Sequence, residues 1–247
     1  MQSSVSVIIP TLDRPHYLTM AIESVLNQTI PPLEVIVVDN GGLPVTVDTV
    51  KPYGDKVRLI RLPTPGIGLA RNAGVEASCG DFIGFLDDDD LWVDCKLEKQ
   101  LQVLQSDSTL DAVFGHMQQF LTPEIDPERL VKFRHLDGKI QPAPLATSIL
   151  MRRPAWDRVG PFDTSLQVGV DVDWYGRLCD AGIRTFMVED VLYLRRIHQT
   201  NSAFTHEHEK NGRLLMLKRL IDRRRSTAME NQPPNSDDSN STLGADR

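Results

Sequence analysis

Residues Val5 to Ile9 form a mostly β-branched run closed by Pro10. With little of the polar alternation of a half-exposed strand, the run predicts a strand buried on both faces. Tyr17 to Leu26 follows with Leu18, Ile22, Val25 and Leu26 at helical spacing, and Thr11 and Asp13 stand where caps belong. Glu34 to Val38 predicts a second buried strand, ending in the turn signal Asp39-Asn40-Gly41-Gly42. Val57 to Leu62 predicts a third. Gly68 to Ala77 reads as a helix entered through Pro65-Gly66-Ile67-Gly68. Asp81 to Leu86 is the fourth strand and runs straight into Asp87-Asp88-Asp89-Asp90. Strands that alternate with helices imply right-handed crossovers and an α/β fold on a mainly parallel sheet.

The second half is less regular. Asp94 to Gln105 is a helix with Leu97, Leu101 and Leu104 on one face. From Ala112 to Ile149 the pattern weakens to mixed short strands and a Pro-rich loop at Gln141 to Pro144. Asp171 to Ala181 reads as a helix and Val191 to Ile197 as a strand. Arg213 to Arg225 is an amphipathic helix, and the polar residues 226–247 read as a disordered tail.

Composition narrows the class. Of 247 residues 40% are hydrophobic, enough for a sizeable core. No apolar run approaches the ~20 residues that cross a bilayer, and the N-terminus lacks the form of a signal peptide. A net charge of −7 excludes nucleic acid as a generic electrostatic partner. Cys79, Cys95 and Cys179 are scattered without CxxC spacing, which fits reduced thiols in the cytoplasm.

The chemistry gathers at strand ends. In an open α/β sheet, ligands bind beyond the carboxyl ends of the strands. Four consecutive carboxylates there repel one another unless a cation lies among them, and their oxygen donors suit Mg2+ or Mn2+ bridged to a diphosphate. Asp39 occupies the matching end of the second strand, and Arg71 and Asn72 begin a helix near the same edge. A phosphate-binding GxxxxGK[ST] loop is absent, as is a GxGxxG turn after the first strand.

In order along the chain stand Val7-Ile8-Ile9-Pro10-Thr11, Arg14-Pro15, Ser24 to Gln28, Glu34 to Gly41, Gly68 to Gly74 and Gly80 to Asp90. Arg153, Val159 to Asp163, Asp171 to Leu178 and Arg196-Ile197-His198 continue the series. Over residues 4–202 the set resembles family 2 glycosyltransferases of the GT-A fold, a Rossmann-like sheet flanked by helices with a smaller acceptor-side region. The resemblance implies one domain over residues 1–225. Residues 1–110 would be its nucleotide-sugar half, 111–205 its acceptor half and 206–225 a terminal helix.

Carried over position by position, the resemblance implies a nucleotide site at Pro10, Thr11, Asp13, Arg14, Asp39, Arg71, Asp87 and Asp88. Asp39 would hold the base, most often uracil. Asp89 would ligate a divalent ion, Mn2+ or Mg2+, with His198 near the metal or diphosphate. Asp171 falls where the family's Glu-Asp pair carries its catalytic base, but Val170 stands where the family usually has Glu. Asp173 could share the task, and both acids also suit a helix N-terminus. The implied reaction is an inverting displacement: metal as Lewis acid on the leaving diphosphate, and Asp171 taking the acceptor's proton.

Two other classes compete. A nucleotide-binding scaffold without activity is suggested by Val170. A sugar-nucleotide pyrophosphorylase would need a Gly-rich basic loop where Pro10-Thr11-Leu12-Asp13-Arg14-Pro15 stands. The absence of a QxxRW motif and of membrane helices favours addition of one sugar. The acceptor is a glycan, a lipid-linked group or a small molecule, with no motif to choose among them. The basic stretch 210–225 either meets the inner membrane face peripherally, which would suit a lipid-linked acceptor, or packs on the domain with a solvated face. His206 and His208 have metal-like spacing but read more simply as exposed.

Overall fold

The computed structural model describes residues 3–42, 44–199 and 201, apart from the side chain of Arg129. Its first half runs β1 (Val5–Thr11), α1 (Pro15–Leu26), β2 (Glu34–Asp39), α2 (Val45–Val50), β3 (Val57–Arg61), α3 (Ile67–Glu76), β4 (Phe82–Phe85), β5 (Leu91–Trp92) and α4 (Lys96–Ser106). The second half adds β6 (Ala112–Leu121), α5 (Pro127–Phe133), β7 (Ile140–Ala143), β8 (Leu150–Arg152), α6 (Arg153–Val159), α7 (Val170–Asp180) and β9 (Thr185–Ile197).

All nine strands join one sheet, ordered β3-β2-β1-β4-β8-β6-β9-β5, with β7 also paired to β6. The strands β3, β2, β1 and β4 are parallel, as alternating strands and helices require. Beyond β4 the sheet turns mixed: β8 runs antiparallel to β4 and β6, whereas β6 and β9 are parallel. Each face carries helices. Val5, Val7 and Ile9 pack with Leu18, Ile22 and Val25 of α1 and Leu97, Leu101 and Leu104 of α4. Ile8, Ile36 and Val38 pack on the opposite side with Ala70, Trp156, Phe162, Val170 and Trp174. That division explains the apolar sequence of β1, every residue of which is buried.

The weak pattern after Ala112 conceals a ten-residue strand, β6. The expected Pro-rich loop at Gln141 to Pro144 is corrected in part. Gln141, Pro142 and Ala143 belong to β7, where Pro142 pairs with His116 on a short strand outside the main order; such positions tolerate a residue without N–H. The strand expected from Val191 starts at Thr185; its first six residues are mostly exposed and include Glu189 and Asp190, which hides them from a reading of buried apolar runs. Residues 206–225 and the tail 226–247, with His206 and His208, lie outside the described residues. Among the described residues no helix is long and apolar enough to cross a membrane.

Candidate active site

The site forms where β1, β2 and β4 end side by side. Thr11, the last residue of β1, pairs with Asp39 of β2 through its backbone. Its hydroxyl donates to Asp88 Oδ2 at 2.7 Å. One residue therefore links the two acidic strand ends. Asp39 is fully buried, accepting from Arg61 Nε at 2.9 Å and Gly42 N at 3.0 Å. Gly42 leaves room for two carboxylates: a Cβ there would lie 2.5 Å from Asp13 Oδ1 and 2.9 Å from Asp39 Oδ1. Asp13 adopts a positive φ of 55°, a conformation that Asp tolerates better than most residues. Pro10 is buried inside β1 opposite Val38.

The aspartate run is held residue by residue. Arg14, just before α1, donates to Asp88 Oδ1 at 3.1 Å and Asp89 Oδ2 at 2.7 Å. His198, just past β9, has Nε2 3.0 Å from Asp89 Oδ2. Asp90 accepts from Arg196 N at 2.9 Å, and Arg196 Nε reaches Asp89 O at 2.9 Å. The Arg196 guanidinium lies 4.7 Å from the ring centres of both Tyr17 and Phe120. Pairing of β5 with β9, Leu91 opposite Leu194, brings this strand beside the run.

The carboxyls differ in charge state. Burial, then the charge of Asp89, push Asp88 up to about 7 against the pull of Arg14. Burial raises Asp87 despite Arg71, with Asp171 and Asp89 adding to the rise. Asp90 stands well above the usual range through burial and its neighbours Asp89 and Asp87. Burial also works against an ionised Asp89, but the His198 bond and Arg14 outweigh it and hold Asp89 below the usual range. Oxygen ligands of Asp87, Asp89 and Asp90 lie within 4.8 Å of one another. An all-oxygen donor set of closely spaced carboxyls fits a hard divalent cation. His198 contacts Asp89 from outside that trio.

The second half of the chain enters through Arg71. Its guanidinium is 1% exposed, with Nη2 2.7 Å from Asp87 and Nη1 3.0 Å from Asp171 Oδ1. It also lies 5.2 Å from the centre of the Phe162 ring. Asn72 brackets Phe162 through its backbone N and O, joining α3 to the loop before α7. Asp171, in the first turn of α7, also accepts from Ala146 N at 3.3 Å, with both bonds on Oδ1. Asp173 instead accepts from Arg177 on its own helix. Val170 is buried in the apolar cluster with Phe162 and Trp174, so no carboxylate stands at the site in that position.

The structure thus gathers Thr11, Arg14, Arg71, Asp87, Asp88, Asp89, Asp171 and His198 into one network, with Asp39 joined through Thr11. Sequence reasoning counted Asp90 only as one of four carboxylates in the acidic run, and assigned no role of its own to Asp90, Arg196 or the Ala146 amide. The first two had a signal in their adjacency to Asp89 and His198. A backbone donor in a turn has none.

The family model Glycosyl transferase family 2 matches residues 6–149. An uncharacterised glycosyltransferase of Rickettsia typhi is 28% identical over 219 residues, covering 83% of this chain and 68% of that protein. Chondroitin synthase of Pasteurella multocida is 25% identical over 90% of this chain but only 23% of its own length. The crystal structure of S. aureus TarS 1-349 in complex with UDP-GlcNAc superposes with a TM-score of 0.68 at 20% identity, covering 82% of this chain and 61% of that one. That likeness is one of fold, GT-A. The chain spans 37% of the longer S. aureus TarS structure.

Proposed function

This chain belongs to glycosyl transferase family 2, and from that premise we propose an inverting, metal-dependent transfer of one sugar from a UDP-sugar to an acceptor hydroxyl. Asp171 is the general base. The observation that carries the reading is Arg71, whose single buried guanidinium binds both Asp87 and Asp171. A carboxylate of the metal-ligand cluster and the carboxylate of α7 therefore meet at one cation, as donor and acceptor sides of a displacement must.

Each group has a task that its surroundings suit. Asp39, with the Thr11 to Arg14 loop, takes the nucleobase, and Pro10 precedes that loop inside β1. Asp87 and Asp88, with Arg71, flank the ribose and diphosphate. Asp89 would hold the divalent ion, Mn2+ or Mg2+, with Asp87 and Asp90 as further oxygen donors and His198 bonded to Asp89; when bound, the ion would supply Lewis-acid neutralisation of charge on the departing diphosphate. Asp171 takes the proton of the attacking hydroxyl. Both of its donors, Arg71 and the Ala146 amide, use Oδ1. Oδ2 accepts no bond from the described residues, and the side chain is 32% exposed. A carboxylate anchored through one oxygen and open at the other suits a general base. The UDP-GlcNAc held by S. aureus TarS supports a UDP-sugar as donor.

The test is Asp171→Asn, measured as UDP release from UDP-GlcNAc with Mn2+ and as UDP binding. Release should fall by about 10²–10⁴-fold while UDP affinity stays near that of the unsubstituted protein. Equal loss of both would remove Asp171 from the chemistry.

A further inference from the structure

Beneath the turn Ala146–Ser148, three buried side chains each cap one of three successive carbonyls. Trp92 Nε1 donates to Thr147 O at 3.2 Å, Gln100 Nε2 to Ser148 O at 2.7 Å, and Lys96 Nζ to Ile149 O at 3.4 Å. The three also fix one another. Lys96 Nζ donates to Gln100 Oε1 at 2.6 Å and lies 4.1 Å from the centre of the Trp92 ring. The Gln100 amide nitrogen also donates to Val113 O at 2.8 Å. Lys96 and Gln100 are wholly buried and Trp92 nearly so.

An amine in this position is costly. Burial alone pushes Lys96 well below the usual lysine range, and no carboxylate among the described residues pairs with it. Filling space would be done better by an apolar side chain, because a buried polar group is tolerated only where its bonds are made. The bonds that Lys96 and its neighbours make outside their own trio go mainly to the turn.

The opposite side of that turn faces the site. Ala146 N donates to Asp171 Oδ1 at 3.3 Å, near the outer limit for such a bond. A few tenths of an ångström of drift in the turn would break it. We propose that Trp92, Lys96 and Gln100 are positioning residues for sugar transfer: they fix the height of the Ala146–Ser148 turn so that the Ala146 amide anchors Asp171 Oδ1. Oδ2 is then left toward the acceptor. Trp92 lies two residues beyond Asp90, so this strut runs from the aspartate run beneath the crevice to the base. The inference rests on the assignment of Asp171 as base.

Lys96→Met keeps the length of the side chain, and Trp92→Phe keeps a ring; each removes one donor to the turn. Amide exchange at Ala146, read by NMR on the full chain, should be slow in the unsubstituted protein and about tenfold or more faster in each variant, with Ile83 in β4 unchanged. In UDP release from UDP-GlcNAc with Mn2+, kcat should fall by about tenfold while KM for the donor holds within about twofold. Rapid exchange of Ala146 in the unsubstituted protein, or unchanged protection in both variants, overturns the strut. Lost protection with an unmoved kcat overturns its positioning role. An unsubstituted protein that releases no UDP counts against the functional reading, and the exchange result still decides the strut.

Discussion

Replacing Arg71 with Met would leave Asp87 and Asp171 facing one crevice without the cation that binds both. At an effective dielectric constant of about 20, each pair attracts by about 5–6 kcal/mol before desolvation offsets most of it. Removing one partner from a fully buried pair costs about 3–5 kcal/mol. Asp87 and Asp171 are 34% and 32% exposed, so water takes over part of the role of Arg71. A loss of about 2–3 kcal/mol at about pH 8 follows, or about 4–12 °C in Tm for a chain of this length. The loss must also depend on pH. Burial already raises Asp87, and without Arg71 the main opposing influence is gone. In the variant, Asp87 therefore stays protonated to higher pH, and its repulsion of Asp171 weakens as pH falls toward about 5. The assay is metal-free thermal denaturation of both proteins at the two pH values. Packing alone, with the guanidinium merely filling space over Phe162, would lower Tm equally at both. An equal drop refutes the electrostatic account.

Asp88 contributes to the pH dependence of the metal-free protein, beside Asp87 and Asp90. Its carboxyl is raised from 3.8 to about 7, so between those values the folded chain holds a proton that the unfolded chain has lost. Stability from this group therefore falls as pH rises, by about 3 kcal/mol between about pH 5 and about pH 8; Asp88→Asn should flatten the Tm profile, and a profile rising over that window contradicts the assignment. Asp89→Asn should abolish the rise in Tm that Mn2+ produces, because a ligand that binds only the folded state stabilises it by mass action; an undiminished rise would place the ion elsewhere. A Cβ on Gly74 would stand 2.4 Å from Ile8 Cγ2, in the packing of α3 on β1. Gly74→Ala should thus cost about 1–3 kcal/mol in urea denaturation, and unchanged stability would mean that α3 shifts freely.

Legibility followed the range of the interactions. Much of the first half could be read because β1, β2 and β4 are largely apolar runs and α1 and α4 show a helical period, and both are local signals; the short α2 and β5 offered no such signal and went unpredicted. Later strands were harder to see. β6 mixes buried and half-buried positions, β9 mixes buried and exposed ones, and β9 begins on residues that are mostly exposed. Asp87 to Asp90 announced themselves by adjacency, but their separate charge states did not, since these depend on Arg14, Arg71, Arg196 and His198 brought in from afar.

The amino-acid sequence by itself determined the alternating strands and helices, the strand end that bears four carboxylates and the resemblance to a glycosyltransferase family. Only the tertiary structure decided which groups share a cation. Arg71 and Asp171 are 100 residues apart, and Thr11 and Asp88 are 77 apart. No periodicity records such pairs, because they follow from strand order in the sheet and from which helix packs on which face. The tertiary structure also turned Val170 into the core and set the Ala146 amide against Asp171. A backbone donor is common to nearly every residue, and only its position makes it specific.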